Sequence, residues 1–199
     1  MSYAIIGFGP VGQALAQAFA RKGMDVAVAG RRPPEAIAPA ASAIGPRVIP
    51  KSMQDALQAE VILLAVPFAG YQELAKAAVS WVGKIVIDVT NAFGVPVEEL
   101  GGLPSSVVVS RALSGSRLVK AFNHLPAKTL AADPAIKGGR RVIFLSSDDA
   151  DATAQVATLV DRLGFAPVDL GRLAEGGALI QARGQSWAPL IFQDLVKFS

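Results

Sequence analysis

Three glycines near the amino terminus have a spacing that suits diphosphate binding. Gly7, Gly9 and Gly12 form the pattern G-x-G-x-x-G, which follows an apolar strand-like run and opens a stretch with a helical apolar stripe. In such a unit the first glycine allows a tight turn, the second lets the backbone approach a diphosphate, and the third lets the helix pack closely on the strand. The helix N-terminus adds N–H donors and partial positive charge. The pattern predicts a dinucleotide site formed by Gly7, Phe8, Gly9, Pro10, Val11 and Gly12.

The residues after the second predicted strand indicate which dinucleotide binds. That strand, Asp25 to Ala29, is followed by Gly30, Arg31 and Arg32, where NAD-binding folds usually carry an acidic residue for the ribose 2′-hydroxyl. A carboxylate would repel a 2′-phosphate, whereas glycine leaves room for it and guanidinium groups bind it through paired hydrogen bonds. We therefore predict NADP(H) as the cofactor. The alternative is that the two arginines belong to a solvated loop.

Composition excludes several classes of protein. The chain has 199 residues, of which 52% are hydrophobic, and a net charge of +3. This favours a sheet covered on both faces and an oligomeric interface. The positive charge forms no cluster larger than a pair of arginines, which argues against nucleic-acid binding. With no cysteine and one histidine, disulfides, thiolate zinc sites and multi-histidine metal sites are excluded.

The same features suggest a location. The amino terminus lacks the pattern of a signal peptide, and no apolar run reaches the roughly 18 residues that a membrane helix needs. We therefore expect a cytoplasmic protein that does not enter the membrane.

Alternating apolar segments predict the fold class. Strand-like runs such as Val61 to Val66 and Lys84 to Val89 alternate with helical patterns, which indicates an α/β, Rossmann-type, doubly wound and mostly parallel sheet. The chain beyond residue 122 should add further strands and helices as a C-terminal extension. We predict a helix over residues 105–113, a strand over 140–146, and helices over 173–181 and 190–198.

Ligands of such sheets bind beyond the carboxyl ends of the strands, which selects a second group of residues. The apolar step at Val66 and Pro67 should pack on ribose or nicotinamide, and the amides of Asn91 and Asn123 could bind ribose, carboxamide or a second ligand. The residues predicted to flank the nicotinamide end are Ala65, Val66, Pro67, Asn91, Ala121 and Asn123.

Asn123 and His124 are the catalytic candidates, with Leu125 bordering the acceptor. His124 has an ordinary pKa near neutrality, so it is either a hydrogen-bond donor or acid in the cleft, or an ordinary loop histidine. Lys120 lies within a predicted strand, and we expect it at the surface or the core edge. The sequence contains no evident Ser-His-Asp set or paired carboxylates. This suits hydride transfer between aligned rings, which needs little acid–base chemistry, and equally suits a non-catalytic binding protein.

The motifs together resemble those of a known family, the NADPH-dependent reductases of the deazaflavin coenzyme F-420. A related domain occurs in membrane ferric reductases, which use a flavin. The matching segments are IIGFGPVGQALAQAFARKG, GRRP, LLAVP, VIDVTN, LVKAFNHLPA, and VIFLSSDDADA through LVDRLGFAPVDLG. Where well-studied members carry a small polar residue and an arginine after the last segment, this chain has Ala174 to Gly177.

The resemblance implies an activity and a division of the chain. It implies NADP binding on an N-terminal Rossmann domain, residues 1–122. It also implies a second cofactor ring near the nicotinamide, against Asn123 to Pro126 and a C-terminal part, residues 123–199, that completes the cleft and the oligomer interface. Since members of the family form dimers or larger assemblies, the resemblance implies a homodimer as well. The implied reaction is hydride transfer between NADPH and F-420 or a flavin. Two alternatives stay open: a reductase of small carbonyls or imines with His124 or Lys120 as proton donor, and a non-catalytic NADPH sensor.

Overall fold

A mostly parallel sheet forms the centre of the computed structural model, which describes residues 1–198. Its main path has the order β10-β9-β7-β5-β4-β1-β2-β3, and β8 and β13 pair with β9. The strands are β1 (Tyr3–Ile6), β2 (Val26–Ala29), β3 (Val48–Pro50), β4 (Val61–Leu64), β5 (Ile85–Asp88), β6 (Ala92–Phe93), β7 (Arg117–Ala121), β8 (Ala135–Ile136), β9 (Gly139–Ser147), β10 (Ala166–Asp169), β11 (Ala182–Gly184), β12 (Ser186–Trp187) and β13 (Val196–Phe198).

Helices cover both faces of this sheet. They are α1 (Pro10–Arg21), α2 (Pro34–Ile44), α3 (Met53–Ala56), α4 (Tyr71–Ala77), α5 (Ser105–Ala112), α6 (Ala127–Ala131), α7 (Ala150–Arg162) and α8 (Gly176–Leu179). The predicted α/β, Rossmann-type architecture is confirmed, and so is the helix predicted over residues 105–113. Within residues 1–198, no helix combines the length and the apolar character that crossing a bilayer requires.

The strand sequences explain why both faces must be covered. All four side chains of β4 are buried, and they alternate between two cores. Leu63 lies in the core that contains residues of α1 and α7, whereas Ile62 and Leu64 lie in the core that contains residues of α4 and α5. A strand that is apolar at every position has no side that can face water.

The order of the strands creates a crevice. From β1 the chain proceeds through β2 and β3 on one side, and then returns to build β4, β5 and β7 on the other. In doubly wound sheets the carboxyl ends of the strands at this reversal diverge and leave room for a ligand. The glycine pattern follows β1 directly, so it lies at this reversal.

Strand β9 runs antiparallel to β7, with Ala121 opposite Leu145 and Val119 opposite Ser147. The connection between them carries only the five-residue helix α6 and the short β8, and no long crossover helix returns the chain to a parallel direction. Because of this reversal, the first residues of β9, including Arg141 and Val142, extend past the carboxyl end of β7. The later part of the chain is thereby brought to the edge where ligands bind.

The helix predicted over residues 190–198 is wrong. Residues 196–198 form β13, which pairs with the start of β9, and Asp194 forms an ion pair of 2.6 Å with Arg141. Phe192 has a φ of +58°, which a helix does not allow. The helix predicted over residues 173–181 is limited to Gly176–Leu179. Pairing with β9 determines the conformation of the tail, and local periodicity could not reveal that partner.

The start of α7 supplies a test of the fold. Asp149 caps the helix by accepting a hydrogen bond of 2.8 Å from the N–H of Ala152, and it pairs through both oxygens with Arg117 at 2.8 and 3.0 Å. The hydrogen bonds of Arg117, with that of Ala152, lower the pKa of Asp149 to about 2.

Because this pKa is lower in the folded than in the unfolded chain, its stabilising effect is complete above about pH 4 and disappears as the pH falls towards 2. We expect Asp149→Ala to lower the free energy of unfolding by at least about 1 kcal/mol at pH 7, the usual effect of a lost cap. Urea unfolding should show a smaller difference from wild type at pH 3. A difference that is equal at both pH values would contradict the assignment, and Asp151→Ala controls for removal of a carboxylate from the same helical turn.

Candidate active site

The packing around the first turn requires glycine at two of the three positions. Gly7 has a φ of +103°, and a Cβ there would lie 2.2 Å from the carbonyl oxygen of Ala65. A Cβ at Gly12 would lie 1.9 Å from the carbonyl oxygen of Gly7. At Gly9, by contrast, a Cβ would meet no atom within 4 Å. Gly7 and Gly12 therefore serve the turn and the helix contact, whereas Gly9 borders open space.

That open space lies at the N-terminus of α1. The helix begins at Pro10 after Gly9, and no side chain caps it. The first hydrogen bond of α1 runs from the N–H of Gln13 to the carbonyl oxygen of Gly9. The N–H groups of Val11 and Gly12 come before it and have no partner within the helix. A diphosphate can accept hydrogen bonds from these free N–H donors, and the open space at Gly9, which a Cβ would fill, leaves room for it. The turn therefore fits the NADP cofactor that the sequence predicts. Phe8 is buried in the core beneath the turn, so only its backbone can contribute.

The predicted 2′-phosphate site follows β2. A Cβ at Gly30 would make only ordinary contacts, 3.7 Å from the Cδ1 of Ile37, so packing alone does not demand glycine there. Arg31 and Arg32 are exposed, and neither forms an ion pair with any residue between 1 and 198. Both guanidinium groups are thus available to an anionic ligand at this end of the crevice.

A cleft of about 240 Å³ lies beyond the carboxyl ends of β4, β5 and β7. Its lining includes eight residues named from the sequence: Val11, Ala65, Val66, Pro67, Asn91, Asn123, Leu125 and Pro126. Thr90, which the sequence places at the end of the strand before Asn91, lines it as well. The residues that sequence reasoning missed are Phe68, Val89, Phe93, Phe122, Ala127 and Phe192. Most of these residues lie next to a predicted residue in the chain. The rule that ligands bind at the carboxyl ends of the strands could therefore have included them. Ala121 is buried in the core and does not line the cleft, which corrects its predicted position.

The two asparagines bind each other across the strand ends. The Nδ2 of Asn91 donates to the carbonyl oxygen of Asn123 at 2.8 Å, and its Oδ1 accepts from the Nδ2 of Asn123 at 3.0 Å and from the N–H of Ala182 at 3.1 Å. The Nδ2 of Asn123 also donates to the carbonyl oxygen of Ile180. The amides therefore join β5, β7 and the C-terminal segment, and they are not the free donors that the sequence suggested.

His124 does not face the cleft, which corrects the prediction that placed it there. Its side chain is fully buried, with Nε2 3.3 Å from the carbonyl oxygen of Val142 and the ring 4.9 Å from that of Phe144. Burial lowers the pKa of His124 to about 4, so the imidazole is neutral at pH 7. Phe122 has a φ of +61°, so the strand alternation that would place the next side chains does not continue.

Lys120 is also not where the sequence indicated. It is fully buried, neither at the surface nor at the core edge, and forms an ion pair of 2.9 Å with the equally buried Asp88. Burial lowers the pKa of Lys120, and the neighbouring carboxylate opposes that shift. Neither Lys120 nor His124 belongs to the cleft lining, so neither is placed to give a proton to a ligand there.

Three exposed aromatic side chains stand at the mouth of the cleft, and we call them the aromatic rim: Phe93, Trp187 and Phe192. The ring of Trp187 lies 5.7 Å from that of Phe93 and 5.1 Å from that of Phe192. Their exposed fractions are 52%, 58% and 40% in chain order. The hydrogen bond of 2.7 Å from the N–H of Phe192 to the carbonyl oxygen of His124 holds the tail at this position.

A second depression, of about 310 Å³, lies at the opposite edge of the sheet, near Glu60, Lys84 and Arg117. Arg117 is paired with Asp149, and Lys84 donates to the carbonyl oxygen of Ala59. The cationic side chains of this depression are already bound within the protein, and the depression lies far from the glycine turn along the strands. We therefore take the cleft as the candidate active site.

Comparison with known proteins agrees with this geometry. Residues 2–92 match the model of a family described as coenzyme F-420-dependent NADP oxidoreductases. A solved hypothetical protein of Sinorhizobium meliloti is 42% identical, covering 99% of this chain and 96% of the other, with a TM-score of 0.91. A putative F-420-dependent NADP reductase of Arthrobacter sp. FB24 is 27% identical, covering 87% and 86%, with a TM-score of 0.69. Residues 2–92 thus belong to the F-420-dependent NADP oxidoreductase family.

The family that residues 2–92 match is one of NADP-dependent oxidoreductases. A curated relative, Metalloreductase STEAP3 of Rattus norvegicus, is 30% identical over 173 residues, which are 85% of this chain and 34% of the relative. The chain thus spans about a third of the length of the curated relatives that it matches.

Exchanging single glycines should separate binding from folding. We expect Gly9→Ala to leave the thermal midpoint within a few degrees of wild type, because its Cβ meets nothing, yet to weaken NADPH binding at least about tenfold by filling the diphosphate space. The matched variant Gly12→Ala should instead lower the midpoint strongly, because its Cβ collides with the backbone. Calorimetric melting and fluorescence titration with NADPH measure the two effects. Unchanged NADPH affinity in a folded Gly9→Ala protein would contradict the assigned cradle.

The two arginines should determine the preference for NADPH over NADH. Replacing both Arg31 and Arg32 with serine removes the charges predicted to bind the 2′-phosphate. We expect NADPH affinity to fall by about 100-fold while NADH affinity changes less than about threefold, since each charge-assisted contact contributes about 1.5–3 kcal/mol. Titrations of both nucleotides test this, and equal losses for the two would show that the arginines have no part in discrimination.

Proposed function

We propose that the protein transfers a hydride between NADPH and a deazaflavin or flavin ring. The observation that carries this proposal is the chemistry of the cleft: within the described chain, no residue that lines it has an acidic or basic side chain. NADPH supplies a hydride when bound, and a fused heterocycle can accept that hydride and take its proton from water. Such a reaction depends on alignment of the two rings and exclusion of water from between them, rather than on an acid or base of the protein.

Each part of the site has a role in this proposal. The glycine turn and the N-terminus of α1 bind the diphosphate, and Arg31 and Arg32 bind the 2′-phosphate. Val66 and Pro67 pack against the nicotinamide end, and their apolar surfaces keep water away. Asn123, a named catalytic candidate, acts by holding the strand ends in register. His124 supports the wall from behind as a buried, neutral ring.

The aromatic rim supports a ring-shaped acceptor in preference to a small carbonyl or imine. Phe93 and Phe192 line the cleft, and Trp187 packs on both from outside. Planar heterocycles gain roughly 0.5–1.5 kcal/mol from each favourable aromatic contact beyond simple burial. The carbonyl or imine alternative needs a proton donor, and the two proposed donors, Lys120 and His124, are buried outside the cleft.

The decisive assay follows NADPH oxidation with F-420, FMN and FAD in parallel. We expect turnover with at least one of them, with a rate that is flat between pH 6 and 8 because no side chain of the cleft titrates there. Phe192→Ala should raise the KM for the ring acceptor about fivefold and leave that for NADPH unchanged. Phe198→Ala, which removes an exposed ring that does not line the cleft, is the matched control.

Binding of the ring can be observed without turnover. The chain has two tryptophans, and Trp81 is buried, so a Trp81→Phe protein reports on Trp187 alone. Its fluorescence should be quenched by the acceptor. No turnover with any of the three rings would reject the hydride-exchange proposal, and tight NADPH binding without turnover would favour the sensor.

Three further expectations stay predictions. They are the division of the chain at residue 122, the homodimer and the cytoplasmic location. Sedimentation of the NADPH-bound protein would test the second of these.

A further inference from the structure

A fully buried ion pair lies directly behind the wall of the cleft. Asp88 and Lys120 are opposite each other on the neighbouring parallel strands β5 and β7, and both side chains have an exposed fraction of 0%. The Nζ of Lys120 lies 2.9 Å from the Oδ2 of Asp88. The positions just before them on these strands, Ile87 and Val119, are apolar and also opposite each other.

The remaining hydrogen bonds of this pair all go to one residue of the cleft. The Oδ1 of Asp88 accepts from the N–H of Thr90 at 2.9 Å and from its Oγ1 at 2.7 Å. Lys120 donates to the carbonyl oxygen of Thr90. The pair thus holds the N–H, the hydroxyl and the carbonyl oxygen of Thr90, which lines the cleft between Val89 and Asn91.

Stability alone does not account for such a pair. Removing two charges from water usually costs as much as their attraction returns, and well-packed apolar residues of similar size are often equally or more stabilising. One position before the ion pair on the same two strands, Ile87 and Val119 form such an apolar pair. What the ion pair adds is a fixed backbone at Thr90, and therefore a fixed starting point for Asn91, whose amide joins β5 to Asn123 and Ala182.

We propose that Asp88 and Lys120 are positioning residues that hold the wall formed by Thr90 and Asn91 in the shape that receives the nicotinamide end of NADPH. The inference rests on the proposed place of NADPH in this cleft, and it is independent of the acceptor. The pair acts through Thr90 and does not itself touch the ligand. Its effect should therefore be confined to the nicotinamide half of the cofactor.

The test compares NADPH with adenosine 2′,5′-bisphosphate, which has the 2′-phosphate but no nicotinamide. The variant Asp88→Leu/Lys120→Met replaces the pair with apolar side chains of similar length and leaves no unpaired buried charge. We expect it to fold, with a melting temperature no lower than that of Lys120→Met alone. Its NADPH dissociation constant should rise about tenfold, while that for adenosine 2′,5′-bisphosphate should change less than about twofold.

The matched control exchanges the neighbouring apolar pair, Ile87→Val with Val119→Ile, and should leave both dissociation constants unchanged. Unchanged NADPH affinity in the folded double variant would overturn the proposal. Equal losses for both ligands would also overturn it, because they would indicate a general structural role. If the double variant does not fold, Thr90→Val provides the test, because it removes only the hydroxyl contact with Asp88. We expect the NADPH dissociation constant of that variant to rise about threefold, with that for adenosine 2′,5′-bisphosphate unchanged. These titrations need no acceptor, so they stay informative if hydride exchange fails.

Discussion

The rest of the structure depends on the close approach of helix α1 to the turn after β1. With Gly12 in contact with the backbone of Gly7, and Gly7 against that of Ala65, three segments meet with no space for a Cβ. This contact sets the direction in which α1 points its N-terminus, and it lets Leu15 and Phe19 enter the core beneath the sheet. Gly9, which lies between these two glycines in the chain, borders open space.

A second constraint acts at the other side of the cleft. The ends of β5 and β7 are joined by hydrogen bonds between Asn91 and Asn123, and behind them by the ion pair of Asp88 and Lys120. Most of these polar groups are hydrogen-bonded to one another, and only the Oδ1 of Asn123 among them is buried without a partner within residues 1–198. The surface that they present to a ligand is therefore largely apolar. A cleft built in this way can hold and align rings well, but it offers little acid–base chemistry. That is the physical reason why hydride exchange between rings suits it.

The reversal at β9 gives the site its third part. Because β9 runs antiparallel to β7, its first residues project past the strand ends and provide an edge on which the tail can pair. The ion pair of Arg141 with Asp194 and the hydrogen bond from Phe192 to His124 then hold the tail beside the cleft. The aromatic rim combines β6 with β12 and this tail, which follow β6 by nearly a hundred residues in the chain.

Much of this could be predicted from the sequence, because it depends on local chemistry. The glycine spacing, the apolar strands, the absence of an acidic residue after β2 and the rule on strand ends identified the fold class, the nucleotide turn and about half of the cleft lining. The alternation of strands and helices also placed α5 correctly, because parallel strands need a crossover helix, although the three consecutive valines Val107 to Val109 by themselves favour a strand.

The rest was decided by tertiary contacts. No local pattern shows that β13 will pair with β9, that Phe122 will adopt a positive φ and turn His124 away from the cleft, or that Lys120 will find Asp88 across the strands. The sequence by itself determined that a dinucleotide turn exists and which residue types surround it. Only the tertiary structure decided which polar groups face a ligand and which are bound to one another, because a hydrogen-bonding group is available to a ligand only when no partner within the folded chain has already taken it.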